Sequence, residues 1–266
     1  MLPSRRLAVL LIVLSASQLA TAVETVDPFA PGGMEKILKA KSENGDVEAQ
    51  FQLGVMYVRG QGVTRDDVEA VRWYRKAAEQ GHAGAQYLIG LAYYNGAGGV
   101  TKDDVEAVKW YRKAADQGDA VAQRHLGSKY DAGKGLPQDS SEAVRWYRKA
   151  ADQGNAIAQV QLGHSYAYGR GVAQDGAEAV RWYRKAADRG NANAQTQLGI
   201  AYTLGEGVAK DAIEGLAWMN IAAASGNNIL VKDRILSERQ LGPQATLAAQ
   251  QRSKEILKEI EAAKKR

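Results

Sequence analysis

The sequence predicts an all-α solenoid built from helix-turn-helix pairs stacked in tandem. Three observations predict it. Trp73-Tyr74-Arg75-Lys76-Ala77-Ala78 returns at Trp110-Tyr111, Trp146-Tyr147 and Trp182-Tyr183, each time continuing Arg-Lys-Ala-Ala, and a worn copy starts at Trp218. These five tryptophans are the only ones in the chain and lie 37, 36, 36 and 36 residues apart, a period that marks stacked helical units. Within each unit the apolar residues fall at helical spacing, with glycines between the two halves. A solenoid grows by adding units, so 266 residues need not be divided into compact cores.

Residues 1–22 read as a leader. Arg5 and Arg6 form a positive n-region, Leu7 to Leu14 an unbroken apolar run, and Ala20-Thr21-Ala22 supplies the small residues that signal peptidase requires. The run is far shorter than the roughly 20 residues of a bilayer span. The expectation is a cleaved signal peptide rather than an uncleaved anchor, with a mature chain in a bacterial periplasm or outside the cell. The chain has no cysteine, which excludes a lipidated cysteine, disulfides and thiol chemistry. Losing Arg5 and Arg6 leaves 33 of the 35 basic side chains against 30 acidic ones, too small a bias to indicate nucleic acid. No second apolar run is long enough to span a membrane after signal cleavage.

Val23 to Gly33, with Pro28, Pro31 and Gly32-Gly33, reads as a lead-in. Met34 to Asn44 takes the place of a second repeat helix, with Ile37 and Leu38 where Trp and Tyr stand later. Residues 23–44 therefore read as lead-in and N-terminal capping helix. Five units follow, at 45–80, 81–117, 118–153, 154–189 and 190–225. The first half of each reads Ala-Gln-x-x-Leu-Gly-x-x-Tyr, with Ile89 for Leu in the second unit, and Ala49, Leu53 and Tyr57 share one helical face. Gly60-Gln61-Gly62-Val63 and its counterparts form a turn whose glycines can take positive φ. Asp66, Asp103, Asp139, Asp175 and Asp211 stand where a carboxylate caps the second helix. That helix then carries Ala70, Trp73, Tyr74, Ala77 and Ala78 or their equivalents as its packing face. The extra residue of the second unit falls in Asn95-Gly96-Ala97-Gly98-Gly99, a turn, where insertion costs least. Residues 226–266 lose the glycines but keep helical spacing at 229–240 and 243–262. They read as one or two closing helices, with Pro243 in a first turn.

The unit Ala-Gln-x-x-Leu-Gly-x-x-Tyr, Gly-x-Gly-Val and Glu-Ala-Val-x-Trp-Tyr-Arg-Lys-Ala-Ala resembles the Sel-1-like repeat, a branch of the tetratricopeptide superfamily. The resemblance covers 45–225 almost without gaps. Ordinary tetratricopeptide units run about 34 residues and lack the Gly-x-Gly turn. The fifth unit departs at Gly215 and Met219, where the others carry Ala and Tyr. The resemblance implies a right-handed α/α superhelix whose inner face binds a peptide or another protein, with no catalytic residues and no cofactor. Exported bacterial members are associated with envelope regulation, surface polysaccharide control and contact with hosts.

Comparison of the five units separates the faces of the first helix. Ala49, Leu53 and Tyr57 recur almost unchanged, whereas the opposite face varies. It carries Phe51, Val55 and Val58, then Tyr87, Leu91 and Tyr94, then Arg124, Ser128 and Asp131, then Val160, His164 and Ala167, then Thr196, Ile200 and Thr203. A packing face must repeat, while a face meeting a non-repeating partner need not. First helices line the concave side of helix-pair solenoids, so this stripe is the candidate partner-binding surface. Its first two units are apolar and aromatic. The alternative is that these residues pack against neighbouring first helices.

The other candidates have plainer readings. Arg72, Lys109, Arg145 and Arg181 follow glutamates by three residues, and Arg75, Arg112, Arg148 and Arg184 precede Glu79, Asp116, Asp152 and Asp188 by four. These spacings predict surface ion pairs, with a basic ladder for polysaccharide or peptidoglycan as the alternative. Tryptophan and tyrosine side by side could stack on sugars, but their recurrence beside alanines places them in the core. His82, His125 and His164 occupy different repeat positions and form no metal set. Ser165 in Gly163-His164-Ser165-Tyr166-Ala167 lacks the final glycine of a nucleophile elbow, and no serine has lysine three residues on, which leaves a β-lactam hydrolase with no motif. Some cysteine-rich relatives of the repeat are linked to penicillin binding, and this chain has no cysteine. The expectation is a non-enzymatic adaptor with a protein or peptide partner, no metal and no nucleic acid.

Overall fold

The computed structural model describes residues 32–224 and 231–265. The leader at 1–22 and the lead-in up to residue 31 lie outside the described residues. Twelve helices and no strand are found among the described residues. They are α1 Gly33–Glu43, α2 Val47–Arg59, α3 Asp67–Glu79, α4 Ala83–Asn95, α5 Asp104–Asp116, α6 Ala120–Ala132, α7 Ser140–Asp152, α8 Ala156–Tyr168, α9 Gly176–Asp188, α10 Ala192–Leu204, α11 Ala212–Ala224 and α12 Val231–Lys264. The chain divides into two compact units, Met1–Asp119 with α1 to α5 and Ala120–Arg266 with α6 to α12. Within each unit, consecutive helices pack as antiparallel pairs, the all-α repeat architecture that the period predicts.

Every second helix begins as the sequence requires. The Asp66 carboxylate accepts from the Val68 and Glu69 amides at 2.9 and 3.0 Å, and Asp175 and Asp211 accept from Glu178 and Glu214 at 3.0 and 2.9 Å. First helices are capped too, by side chains the motif did not single out. Asp46, Asn155 and Asn191 accept from Ala49, Ala158 and Ala194 at 2.9, 3.0 and 3.0 Å, and His82 Nδ1 accepts from Ala85 at 3.1 Å. Gly60, at φ 62°, closes α2 in the left-handed region, and its amide returns to the Met56 carbonyl. The second glycine of the turn answers to packing. A Cβ on Gly207 would stand 2.0 Å from the Gly176 carbonyl oxygen, because this turn rests on the start of the preceding second helix.

The packing face is as the repeat implies. Ala70, Tyr74, Ala77, Ala78, Ala85, Ile89 and Trp110 form one buried cluster in the first unit. In the second, Ala143, Tyr147, Ala158, Leu162 and Trp182 form the corresponding one. Each tyrosine lies over the glycine of the Leu-Gly motif. A Cβ on Gly90 would stand 2.7 Å from Tyr111 Cδ1, so only glycine lets the two helices close to this distance. The worn fifth copy packs as tightly, with Trp218 0% exposed. Its two departures explain themselves. Gly215 leaves room for Thr203, and Met219 replaces the tyrosine over Gly199.

The closing segment α12 is broken at Gly242 (φ 80°, ψ 174°), and Pro243 starts its second half. Ala249, Ser253 and Ile256 are buried on the fifth repeat. Ser253 Oγ donates to the Ala217 carbonyl at 3.2 Å, and Arg252 Nε reaches Glu214 Oε2 at 2.7 Å.

Candidate functional site

In the first unit the variable stripe lies on α2 and α4. Phe51 is half-buried, stacked on His82 with centroids 4.3 Å apart and tilted against Tyr74 at 5.7 Å. It packs with Val55 on the cluster around Tyr74. Tyr87 stacks on Tyr111 at 5.9 Å, and Lys102 Nζ lies 5.9 Å from the Tyr94 ring. Leu91 is half-buried, and Val58, at 39% exposure, is the stripe residue of this unit most open to solvent. Much of the aromatic stripe thus serves packing here.

In the second unit the stripe lies on α6, α8 and α10. Arg124 donates to His125, whose titration burial, then Arg124 and Lys129, push down to about 4. Ser128 is exposed and Asp131 half-buried beside Tyr147, whose phenol burial holds well above its usual range. His164 meets Tyr183 edge-on at 5.6 Å. Val160 and Thr196 are buried and belong to the packing. Thr203 bonds back to the Gly199 carbonyl at 2.8 Å. Ala167 and Ile200 line a cleft of about 580 Å³ with Tyr168, Gln174, Gln197 and Glu206. Tyr168 and Leu204, 62% and 58% exposed, stand next to the stripe and were not part of it. They occupy one repeat position, held elsewhere by Arg59, Asn95 and Ala132. Its variation is a signal of the same kind that picked out the stripe.

The repeated basic block is engaged throughout. Arg72, Lys109 and Arg181 pair with Glu69, Glu106 and Glu178 at 3.1, 2.5 and 2.5 Å, and Arg145 pairs with Glu142. Three of the four cations predicted to pair four residues on make a different contact. Arg75 and Arg184 donate to Tyr93 and Tyr202 of the next first helix at 3.0 and 2.8 Å, and Arg148 does so to Tyr166. These guanidinium–phenol contacts are partly buried, where a hydrogen bond is electrostatically stronger than at the open surface. Lys76, Lys113, Lys149 and Lys185 lie over their own tryptophans at 4.0, 4.0, 4.0 and 3.8 Å. The block thus faces solvent in part while its cations fasten helices within and between repeats. Among the described residues, no three His, Asp or Glu side chains stand close enough to hold a metal ion. No described helix is long and apolar enough to cross a membrane.

The chain matches the Sel1 repeat at residues 47–82, 83–119, 120–155, 156–191 and 192–227. Each match starts two residues beyond the unit boundary read from the glycines. A Sel1 repeat protein from Oxalobacter formigenes is 36% identical, with a TM-score of 0.71, over 82% of this chain and 87% of that one. A protective antigen present in uropathogenic Escherichia coli strains, displaying an SLR fold, is 33% identical, with a TM-score of 0.76, over 91% of this chain and 56% of that one. An ERAD-associated E3 ubiquitin-protein ligase component of Arabidopsis thaliana is 33% identical over 64 residues, 24% of this chain and 9% of that protein. A sel1-like repeat-containing protein of Acanthamoeba polyphaga mimivirus is 39% identical over 80 residues, 27% and 15% of the two. The chain spans only a small part of these last two proteins. Family match, five-fold period and helix-pair packing agree, and the chain belongs to the Sel1 repeat family, with five copies in tandem.

Proposed function

We propose that this chain is an exported adaptor that holds a partner polypeptide on the variable faces of its first helices. Sel1-repeat proteins are protein-interaction scaffolds, in general without catalysis. One observation carries the choice of face. The second helices repeat their contacts from unit to unit and commit their cations to them, whereas one position of the first helices changes through Val58, Tyr94, Asp131, Ala167 and Thr203, and at Val58 it is exposed. The pattern at 1–22 supports export, and a role in envelope regulation or host contact follows from export together with the scaffold. The antigen of uropathogenic Escherichia coli, of which this chain spans 56%, is compatible with such a role.

Site-specific photo-crosslinking in the producing cell tests the face. A photoreactive residue at Val58, Ser128 or Leu204 is expected to capture a discrete partner, and one at Val68 or Arg145 on the second helices none. Adducts from the second helices alone would overturn the reading. The mass of the isolated protein tests export, with a chain starting at Val23 expected outside the cytoplasm and a full-length cytoplasmic chain counting against it.

A further inference from the structure

The cleft among α8, α9 and α10 carries chemistry that a generic variable face does not require. Tyr168 and Tyr183 line it, and His164, outside the lining, packs against both rings at 6.2 and 5.6 Å. Burial, then Arg170, lowers the titration of His164, so at neutral pH this ring adds no positive charge. Burial, with smaller contributions from Tyr168 and Glu206, keeps the Tyr183 phenol protonated. Glu206 is the only charged side chain lining the cleft. The exposed Tyr168 ring beside one carboxylate favours a cation. Tyr168 already shows this affinity, since the Arg170 guanidinium sits 5.4 Å from its ring centre. The combination occurs once in the chain. Where Glu206 stands, the other units carry Gln61, Ala97, Lys134 and Arg170, and only the fourth places an aromatic at the position of Tyr168.

We propose that this cleft receives a lysine or arginine side chain of the bound polypeptide. The cationic head meets Tyr168 and the Glu206 carboxylate, and the methylenes lie along Ile200. The proposal rests on the polypeptide-binding reading above and gives that reading a sequence preference.

The test is a titration of the nitrogen-15-labelled full chain with Nα-acetyl-lysine amide and with its uncharged norleucine counterpart, followed by amide shifts. The lysine probe is expected to give saturable shifts at Tyr168, Ile200 and Gly207. Norleucine on the wild type, or lysine on Glu206→Gln or Tyr168→Ala, is expected to bind about five- to tenfold more weakly. Glu206 is exposed in a turn, so its substitution leaves the fold intact, with circular dichroism as the check. A lysine probe that binds no better than norleucine, or binds Glu206→Gln as well as wild type, overturns the proposal. The photo-crosslinks would then still stand, and with them the polypeptide-binding reading. Their absence would sink that reading and this proposal with it.

Discussion

Arg184 Nη2 donates to Tyr202 Oη at 2.8 Å, from the second helix of one repeat to the first helix of the next. The same guanidinium lies 4.7 Å from the Trp218 ring and 4.0 Å from the Glu214 carboxylate. Arg75 and Arg148 hold Tyr93 and Tyr166 in the same way, so the contact recurs with the period and joins units rather than decorating one helix. A hydrogen bond to a charged group contributes about 1.5–3 kcal/mol when well buried. With the Arg184 side chain 34% exposed, Tyr202→Phe is expected to cost about 1 kcal/mol. Arg184→Ala should cost more, since it also uncovers Trp218. Urea unfolding followed by tryptophan fluorescence checks both, and an unchanged midpoint for Tyr202→Phe would show the contact to be incidental.

Most of the scaffold is legible in the sequence because its physics is periodic. Trp73, Tyr74, Ala77 and Ala78 repeat as a helical face and are buried as one. What stayed hidden is which neighbour each repeated residue serves. The Gln of Ala-Gln recurs without any pattern that reveals its partner. In the structure Gln50, Gln86 and Gln159 donate to the Ser42, Ala78 and Ala151 carbonyls at the end of the preceding helix, at 3.0, 3.1 and 3.0 Å. Arg75 offered a carboxylate four residues on, and spacing along one helix cannot reveal a phenol arriving from the next. The variable stripe was legible as variation, but Phe51 and Tyr87 show that variation and exposure are different properties. The position of Tyr168 varies in the same way, but only the coordinates reveal the cleft beside it.

The glutamine contacts also predict a stabilising substitution. Gln80, Gln117 and Gln153 each donate to the Oε1 of the Ala-Gln glutamine of their unit, Gln50, Gln86 and Gln123, at 2.8, 2.7 and 2.8 Å. The fourth unit has Arg189 in that place, which reaches instead to the Gly154 carbonyl at 3.0 Å. Gln159 Oε1 is left buried without a partner. An unsatisfied buried acceptor costs about 1–3 kcal/mol. Arg189→Gln is expected to restore the link and raise the melting temperature by about 2–4 °C. An equal or lower melting temperature would show that the Arg189 contact to Gly154 is worth at least as much.

His125 carries the clearest pH dependence. Burial, then Arg124 and Lys129, lower its titration to about 4 in the folded chain, against about 6.5 when unfolded. Above pH 7 the ring is neutral in both states and contributes nothing. As pH falls from about 6.5 to about 4, the unfolded chain takes up a proton that the folded chain refuses, so stability drops through that window. Glutamine occupies the same repeat position at Gln52, Gln161 and Gln197, so His125→Gln fits this backbone site. The variant is expected to lose less melting temperature than wild type between pH 7 and pH 4.5, with the remaining loss coming from groups common to both chains, His164 among them. Parallel melting curves at both pH values would show that His125 protonates without opening its surroundings.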